Sequence, residues 1–176
     1  TGMAKLAEGL YIVALSGLAI YALHVLALIV LYLRHRHDPG ETRPAVPVSA
    51  LPTVTVQVPL RNELHVAPRV LRAVGALDWP RDRLEIQILD DSDDSTCRIV
   101  DREADRLRGE GLSVRVLRRA EPEGYKAGAL AAGCAAARGE YIAIFDADFK
   151  PGPDFLTLTV PYIVEDPTLA MVQARW

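Results

Sequence analysis

Residues 140–148 read EYIAIFDAD. The first six are apolar, aromatic or β-branched apart from Glu140, and they predict a strand over 140–145. Two carboxylates, Asp146 and Asp148, follow one residue apart. At the end of an extended chain, positions i and i+2 face one side, so the two acids are expected to share a side. At about 4 Å, two such charges repel by roughly 4 kcal/mol at an effective dielectric near 20. A proton, a lysine or a divalent cation must offset that. Hard oxygen ligands with room for water and phosphate oxygens suit Mg²⁺ or Mn²⁺. For an isolated pair, solvated acids at a helix start are the simpler explanation, so the surrounding chain decides.

Upstream of this strand the sequence alternates between strand-like and helix-like stretches. TVTVQV (53–58) predicts a strand stopped at Pro59, and Val66, Val70, Val74 and Leu77 share one face of a helix over 66–77. LEIQIL (84–89) predicts the second strand. Ser95 can cap a helix whose stripe is Cys97, Val100, Ala104 and Leu107. LSVRVL (112–117) is the third strand, and the Ala-rich stretch 126–138 a helix ended by Gly139. Beyond the opening stretch, 153–164 reads as helix and 169–174 as the start of a fifth strand. This order predicts an α/β, Rossmann-like domain with a mostly parallel sheet and right-handed crossovers.

In such sheets ligands bind beyond the carboxyl ends of the strands. The polar clusters fall there: PLRNE (59–63), DDSDD (90–94), GYKAG (124–128) and DAD (146–148). Their convergence favours a ligand role for Asp146 and Asp148. Within the acidic run, Asp90 and Asp91 are the ligand candidates nearest the strand, while Asp93 and Asp94 suit a helix N-terminus. Lys126 at a helix start offers an anion site, its charge adding to free backbone N–H groups. The small residues from Gly128 to Ala135 point to close helix–sheet packing. P-loop, dinucleotide-binding and nucleophile-elbow motifs are absent from the sequence. A phosphatase using a D-x-D nucleophile needs that pair at its first strand, whereas here it follows the fourth.

The N-terminal part is different. Of the 24 residues from 10 to 33, only Ser16, Gly17 and His24 are not apolar. At about 1.5 Å per residue, that run can cross a hydrocarbon core of about 30 Å. It is longer than a signal-peptide core, so a retained transmembrane helix is expected. Arg34, His35, Arg36 and His37 follow it, and the positive-inside rule puts them and all downstream residues in the cytoplasm, with the N-terminus outside. His24 lies mid-span. Residues 1–37 thus form the helix and its basic flank, 38–52 a Pro-rich linker, and 53–176 the α/β part. The whole chain has 176 residues and a net charge of −3, which argues against nucleic acid as a partner. Cys97 and Cys134, its only cysteines, make neither a disulfide framework nor a zinc spacing.

The stretch FDADFKPGPDFL (145–156), with ILDDSDDST (88–96) and GYKAGAL (124–130), resembles family 2 glycosyltransferases of the GT-A fold. Within them it is similar to the membrane branch of cellulose synthases and plant cellulose synthase-like β-mannan and glucan synthases. The resemblance covers about 51–176. It implies a plasma- or inner-membrane enzyme that transfers a hexose from UDP-glucose or GDP-mannose to a growing β-glycan, with inversion. A lipid acceptor is the alternative. Asp91, with Asp90 nearby, would contact the base or ribose. Glu63 and the turn from Pro59 to Asn62 would line the nucleoside pocket, and Lys126 would lie near the base or diphosphate. Asp146 would hold donor and metal, and Asp148 metal. Arg61 stands where the family usually has an aromatic residue. The family's general base belongs to a later acidic motif, and VQARW (172–176) matches the mannan synthase-like branch. The resemblance therefore implies an N-terminal, incomplete part of a longer enzyme, its base beyond residue 176. A chain that ended there would be at most a non-catalytic donor-binding fragment.

Overall fold

A computed structural model describes residues 2–36 and 46–174. The greater part of the expected linker (38–52), the flanking His37 and the terminal Arg175 and Trp176 lie outside the described residues. The chain divides into two units, residues 1–42 and 43–176.

The first unit is one helix, α1 (Gly2–His35), with no buried residue and with Arg34 and His35 in its last turn. It contains the whole apolar run. It is long and apolar enough to cross a membrane. The Ser16 hydroxyl donates to Ile12 O one turn back (2.8 Å), so it needs no partner outside the helix.

The second unit is an α/β layer structure. In order it contains β1 (Val54–Leu60), α2 (Ala67–Gly75), β2 (Leu84–Asp90), α3 (Thr96–Gly109), β3 (Ser113–Leu117), α4 (Tyr125–Ala136), β4 (Tyr141–Ile144) and α5 (Phe155–Glu165). The four strands are parallel, in the order β3-β2-β1-β4. β1 and β2 are central and pair from Val54↔Leu84 to Leu60↔Asp90. Both are buried along nearly their whole length, as strands covered on both faces must be. One face carries Val54, Val56, Val58, Leu84, Ile86 and Ile88, which join Val70 and Val74 of α2 and Val100, Ala104 and Leu107 of α3 in the core. Leu156 and Val160 of α5 complete that cluster.

The opposite face of the same strands is polar yet buried. Thr55 donates to Glu85 (2.8 Å), and Gln57 donates to Gln87 (3.1 Å) on the neighbouring strand. Glu85 also accepts from Arg115 on β3 (3.2 Å) and from the backbone N–H of Arg138 (3.0 Å). Such groups are tolerable only when paired, and these are. α4 closes over them with its small residues: a Cβ on Gly133 would sit 2.7 Å from Gln57 Nε2 and 2.9 Å from Leu89 Cδ2.

Three expectations need correction. β1 does not stop at Pro59 but pairs through it to Leu60. Residues 169–174 form no strand. Ala170, Met171 and Val172 instead line, together with residues of β4 and α5, a groove of about 380 Å³. Ser95 does not cap α3 through its side chain. Asp94 does so instead, accepting from the Thr96 N–H (2.8 Å), and its contacts with the Thr96 side chain and backbone hold its carboxyl below the usual range.

Candidate active site

After β3 the chain returns to the far side of β1, so β1 and β4 are neighbours although a long stretch of sequence separates them. Their carboxyl ends diverge at this switch in strand order, where open α/β sheets leave a crevice. A cleft of about 500 Å³ lies there. Pro59, Leu60, Arg61 and Glu63 line it from the end of β1, and Leu89 and Asp91 from β2. Tyr125, Lys126 and Ala129 contribute from α4, and Asp146, Ala147 and Asp148 from the segment after β4. Six of the eight residues proposed from sequence thus meet in one cavity: Pro59, Glu63, Asp91, Lys126, Asp146 and Asp148.

Asn62 and Asp90 do not line it. Asn62 sits in the left-handed region (φ 57°), where asparagine is better tolerated than most residues. It exchanges hydrogen bonds with Asp93: its Nδ2 donates to Asp93 Oδ1 (2.9 Å), and the Asp93 N–H donates to its Oδ1 (3.0 Å). Its backbone N–H donates to Ser92 Oγ (2.9 Å). The loop after β1 is thereby tied to the loop after β2. Asp90 has a fully buried side chain, ion-paired with Arg118 and accepting from the Ser92 N–H. Arg118 bonds Asp101 of α3 as well (2.9 Å). Asp90 therefore braces the floor behind the cleft rather than its lining.

The D-x-D pair is also placed differently from the strand-end expectation. β4 stops at Ile144, and Asp146–Phe149 is a turn closed by the Phe149 N–H donating to Asp146 O (3.0 Å). The turn, rather than strand alternation, brings both acids to the cleft. Lys126 forms an ion pair with Asp146 across it. Arg69 of α2 donates to the backbone carbonyl of Asp148 (3.2 Å), and among the described residues the Asp148 carboxylate has no hydrogen-bond partner.

Lys126 projects from an unusual helix start. Gly124 (φ 70°) and Tyr125 (φ 49°) both adopt left-handed backbone, which glycine accepts freely and tyrosine does not. Arg119, which the sequence reading passed over, stabilises this turn. It also grips Asp91 with two hydrogen bonds, from Nε to Oδ1 (3.1 Å) and from Nη2 to Oδ2 (2.5 Å). The signal available was a pair of arginines directly after the third strand, facing two aspartates directly after the second.

Among the described residues no group of three or more His, Cys, Asp or Glu side chains could hold a metal ion. Asp146 and Asp148 fit a different type of site. Mg²⁺ or Mn²⁺ commonly takes one or two carboxylates and completes its shell with water and phosphate oxygens. A donor set of two carboxylates in an open cleft suits that mode and does not suit a closed structural site.

A parallel α/β sheet with an acidic cleft at its switch point is the architecture of GT-A-like glycosyltransferases. The solved mannosyltransferase PcManGT from Pyrobaculum calidifontis, in complex with GDP-Man and Mn²⁺, superposes with a TM-score of 0.69 and 32% identity, over 86% of this chain and 44% of its own. S. aureus TarS 1-349 in complex with UDP-GlcNAc shares the fold alone (TM-score 0.56, 23% identity, 64% of this chain and 31% of its own). Residues 55–176 match the family described as Glycosyl transferase family 2, and the chain belongs to that family. Among curated relatives, glucomannan 4-beta-mannosyltransferase 1 of Oryza sativa subsp. japonica is 43% identical over 148 residues. Glucomannan 4-beta-mannosyltransferase 2 of Arabidopsis thaliana is 42% identical over 147 residues. The match takes in 81% of this chain but only 28% of the length of either relative.

Proposed function

We propose that this chain is the donor-binding part of a membrane-bound, inverting hexosyltransferase that extends a β-glycan from a nucleotide sugar, with GDP-mannose as donor in preference to UDP-glucose. The observation that carries the reading is the cleft itself, in which Asp91, Lys126, Asp146 and Asp148 converge at the switch point. The preference for GDP-mannose rests on the names of the plant relatives and on the sugar nucleotide bound to PcManGT.

Each residue then has a chemical task. Asp91 and Glu63 accept hydrogen bonds from N–H and O–H groups of the nucleoside. Pro59 and Leu60 give it an apolar wall. Lys126 neutralises part of the diphosphate. The cleft carries four carboxylates, Glu63, Asp91, Asp146 and Asp148, against Arg61 and Lys126, so an anionic diphosphate needs further positive charge. Asp146 and Asp148 would hold Mg²⁺ or Mn²⁺, which when bound offsets the charge that develops on the leaving diphosphate. In this reading Lys126 passes from Asp146 to the phosphates when donor and metal arrive. The base that activates the acceptor hydroxyl is placed in the portion of the relatives that this chain does not span. α1 anchors the enzyme, with Arg34 and His35 on the cytoplasmic side and the second unit in the cytoplasm.

The test is titration of the full chain, in detergent or nanodiscs, with GDP-mannose and UDP-glucose, with and without Mn²⁺. Metal-dependent binding that is lost in Asp148→Ala supports the reading. Binding of neither donor, or binding that ignores both Mn²⁺ and Asp148→Ala, overturns it.

A further inference from the structure

Arg119 bonds two residues that line the cleft, Asp91 and Tyr125, and donor binding as described above assigns it nothing. Its guanidinium bonds both oxygens of Asp91. The same group donates to two backbone carbonyls at the start of α4, Glu123 O (2.7 Å) and Tyr125 O (3.1 Å). One planar fork thus joins the carboxylate at the end of β2 to the left-handed turn that projects Lys126. Both partners in the ion pair are largely buried, with side-chain exposures of 17% and 7%.

Local sequence is fitted to this joint. A Cβ on Gly128 would stand 2.7 Å from Arg119 Nη1 and would collide with Glu123 O, so the helix can pass beneath the fork only with glycine there. Arg118, the preceding residue, points instead to Asp90 and Asp101 behind the cleft. Adjacent arginines therefore brace adjacent aspartates on opposite sides of the floor.

We propose that Arg119 is a positioning residue for the nucleotide donor: it fixes the Asp91 carboxylate and the Lys126 turn in one geometry before the donor arrives. A carboxylate has about four lone-pair sites. The fork takes one on each Asp91 oxygen and leaves the others for ligand N–H or O–H groups. Lysine cannot replace this arrangement fully, because a point charge on a flexible stem cannot satisfy two carboxylate oxygens and two carbonyls together. The role rests on the donor-binding reading of the cleft.

The experiment is titration of the full chain with GDP-mannose and UDP-glucose plus Mn²⁺, for the wild type, Arg119→Met, Arg119→Lys, Asp91→Asn and the Asp91→Asn/Arg119→Met double variant. Arg119→Met is expected to raise the donor Kd about tenfold or more, the scale of lost charge-assisted hydrogen bonds. Arg119→Lys should recover part of that loss at a melting temperature close to wild type. The double variant should lose less than the sum of the two single losses, because Arg119 acts in part through Asp91 and in part through the Lys126 turn. A Kd for Arg119→Met within twofold of wild type overturns the role, and so do additive losses in the double variant. If Arg119→Met fails to fold, the Kd of Arg119→Lys decides: unchanged binding overturns the role and an intermediate loss supports it. If the wild type binds neither donor, the function itself fails and this role with it, which is a different result from wild-type binding that Arg119→Met leaves intact.

Discussion

Lys126 on α4 and Asp146 in the turn after β4 are bonded to each other across the cleft, so the cation and one acid of the D-x-D neutralise each other in the donor-free protein. Both side chains are about half exposed. An exposed pair of this kind is worth little to stability. Lys126→Ala should therefore leave the melting temperature within about 2 °C of wild type. Donor binding should weaken about tenfold or more, because a diphosphate loses a charge-assisted contact. Thermal unfolding and donor titration on the same preparation check both halves.

Asn62 predicts a stability effect at a position outside the cleft lining. Asn62→Ala removes both side-chain bonds to Asp93 and leaves a β-carbon in left-handed backbone at φ 57°. The expected cost is about 2 kcal/mol. Asn62→Gly loses the same bonds but not the backbone tolerance, and should cost about 1 kcal/mol less than alanine. Denaturant midpoints of the three proteins, compared at equal m-value, decide. Equal costs for alanine and glycine would remove the backbone component.

Acid stability should depend on Glu85. Burial acts to raise its pKa, but hydrogen bonds from the Arg138 N–H, Thr55 and Arg115 outweigh it and hold the carboxyl below its ordinary 4.5. A carboxyl depressed in the folded state contributes stability that is complete above the unfolded pKa. That contribution is lost as pH falls through the lower, folded value. Urea midpoints should thus fall below about pH 4.5, the ordinary value. Glu85→Gln should be less stable at neutral pH and show a shallower acid limb. Glu103, held down against burial by Arg72 and Arg106, adds to the same limb and leaves a residual slope in that variant.

α1 predicts behaviour in membranes. Carbonate washing at high pH should leave the chain in the membrane pellet. A cysteine at Ala4 should react with an impermeant maleimide from outside the cell, in the background Cys97→Ser/Cys134→Ser. Labelling of that cysteine only after lysis would reverse the proposed orientation.

The sequence showed the strands well because their β-branched runs are long and end in polar clusters. Val54, Val56 and Val58 could hardly be placed elsewhere than in a covered strand. Asp146, Asp148 and Lys126 were legible as cleft residues because each closely follows an apolar strand or opens a helix. What could not be read were pairings between distant loops. Asn62 has a left-handed backbone that no local pattern announces, and its partner Asp93 lies 31 residues away. Arg119 and Asp91 are 28 residues apart, and an arginine in a charged loop looks the same whether it is solvated or clamped. The expected fifth strand did not form: 169–174 has strand composition, but composition alone does not supply a pairing partner.

The strand order also sets how far along the chain each pairing must reach. β1 finds β2 across 30 residues (54 to 84), but it finds β4 across 87 (54 to 141). Closing the longer loop costs about 1 kcal/mol more chain entropy. β4 has only four residues with which to recover it, and Ile144 at its end is 49% exposed. The wall bearing Asp91 stands on a seven-residue pairing between covered strands, whereas the wall bearing Asp146 and Asp148 hangs on a four-residue pairing. Amide protons of β4 should exchange with solvent faster than those of β1 and β2. A ligand that touches both walls of the cleft would tie the short pairing to the long one.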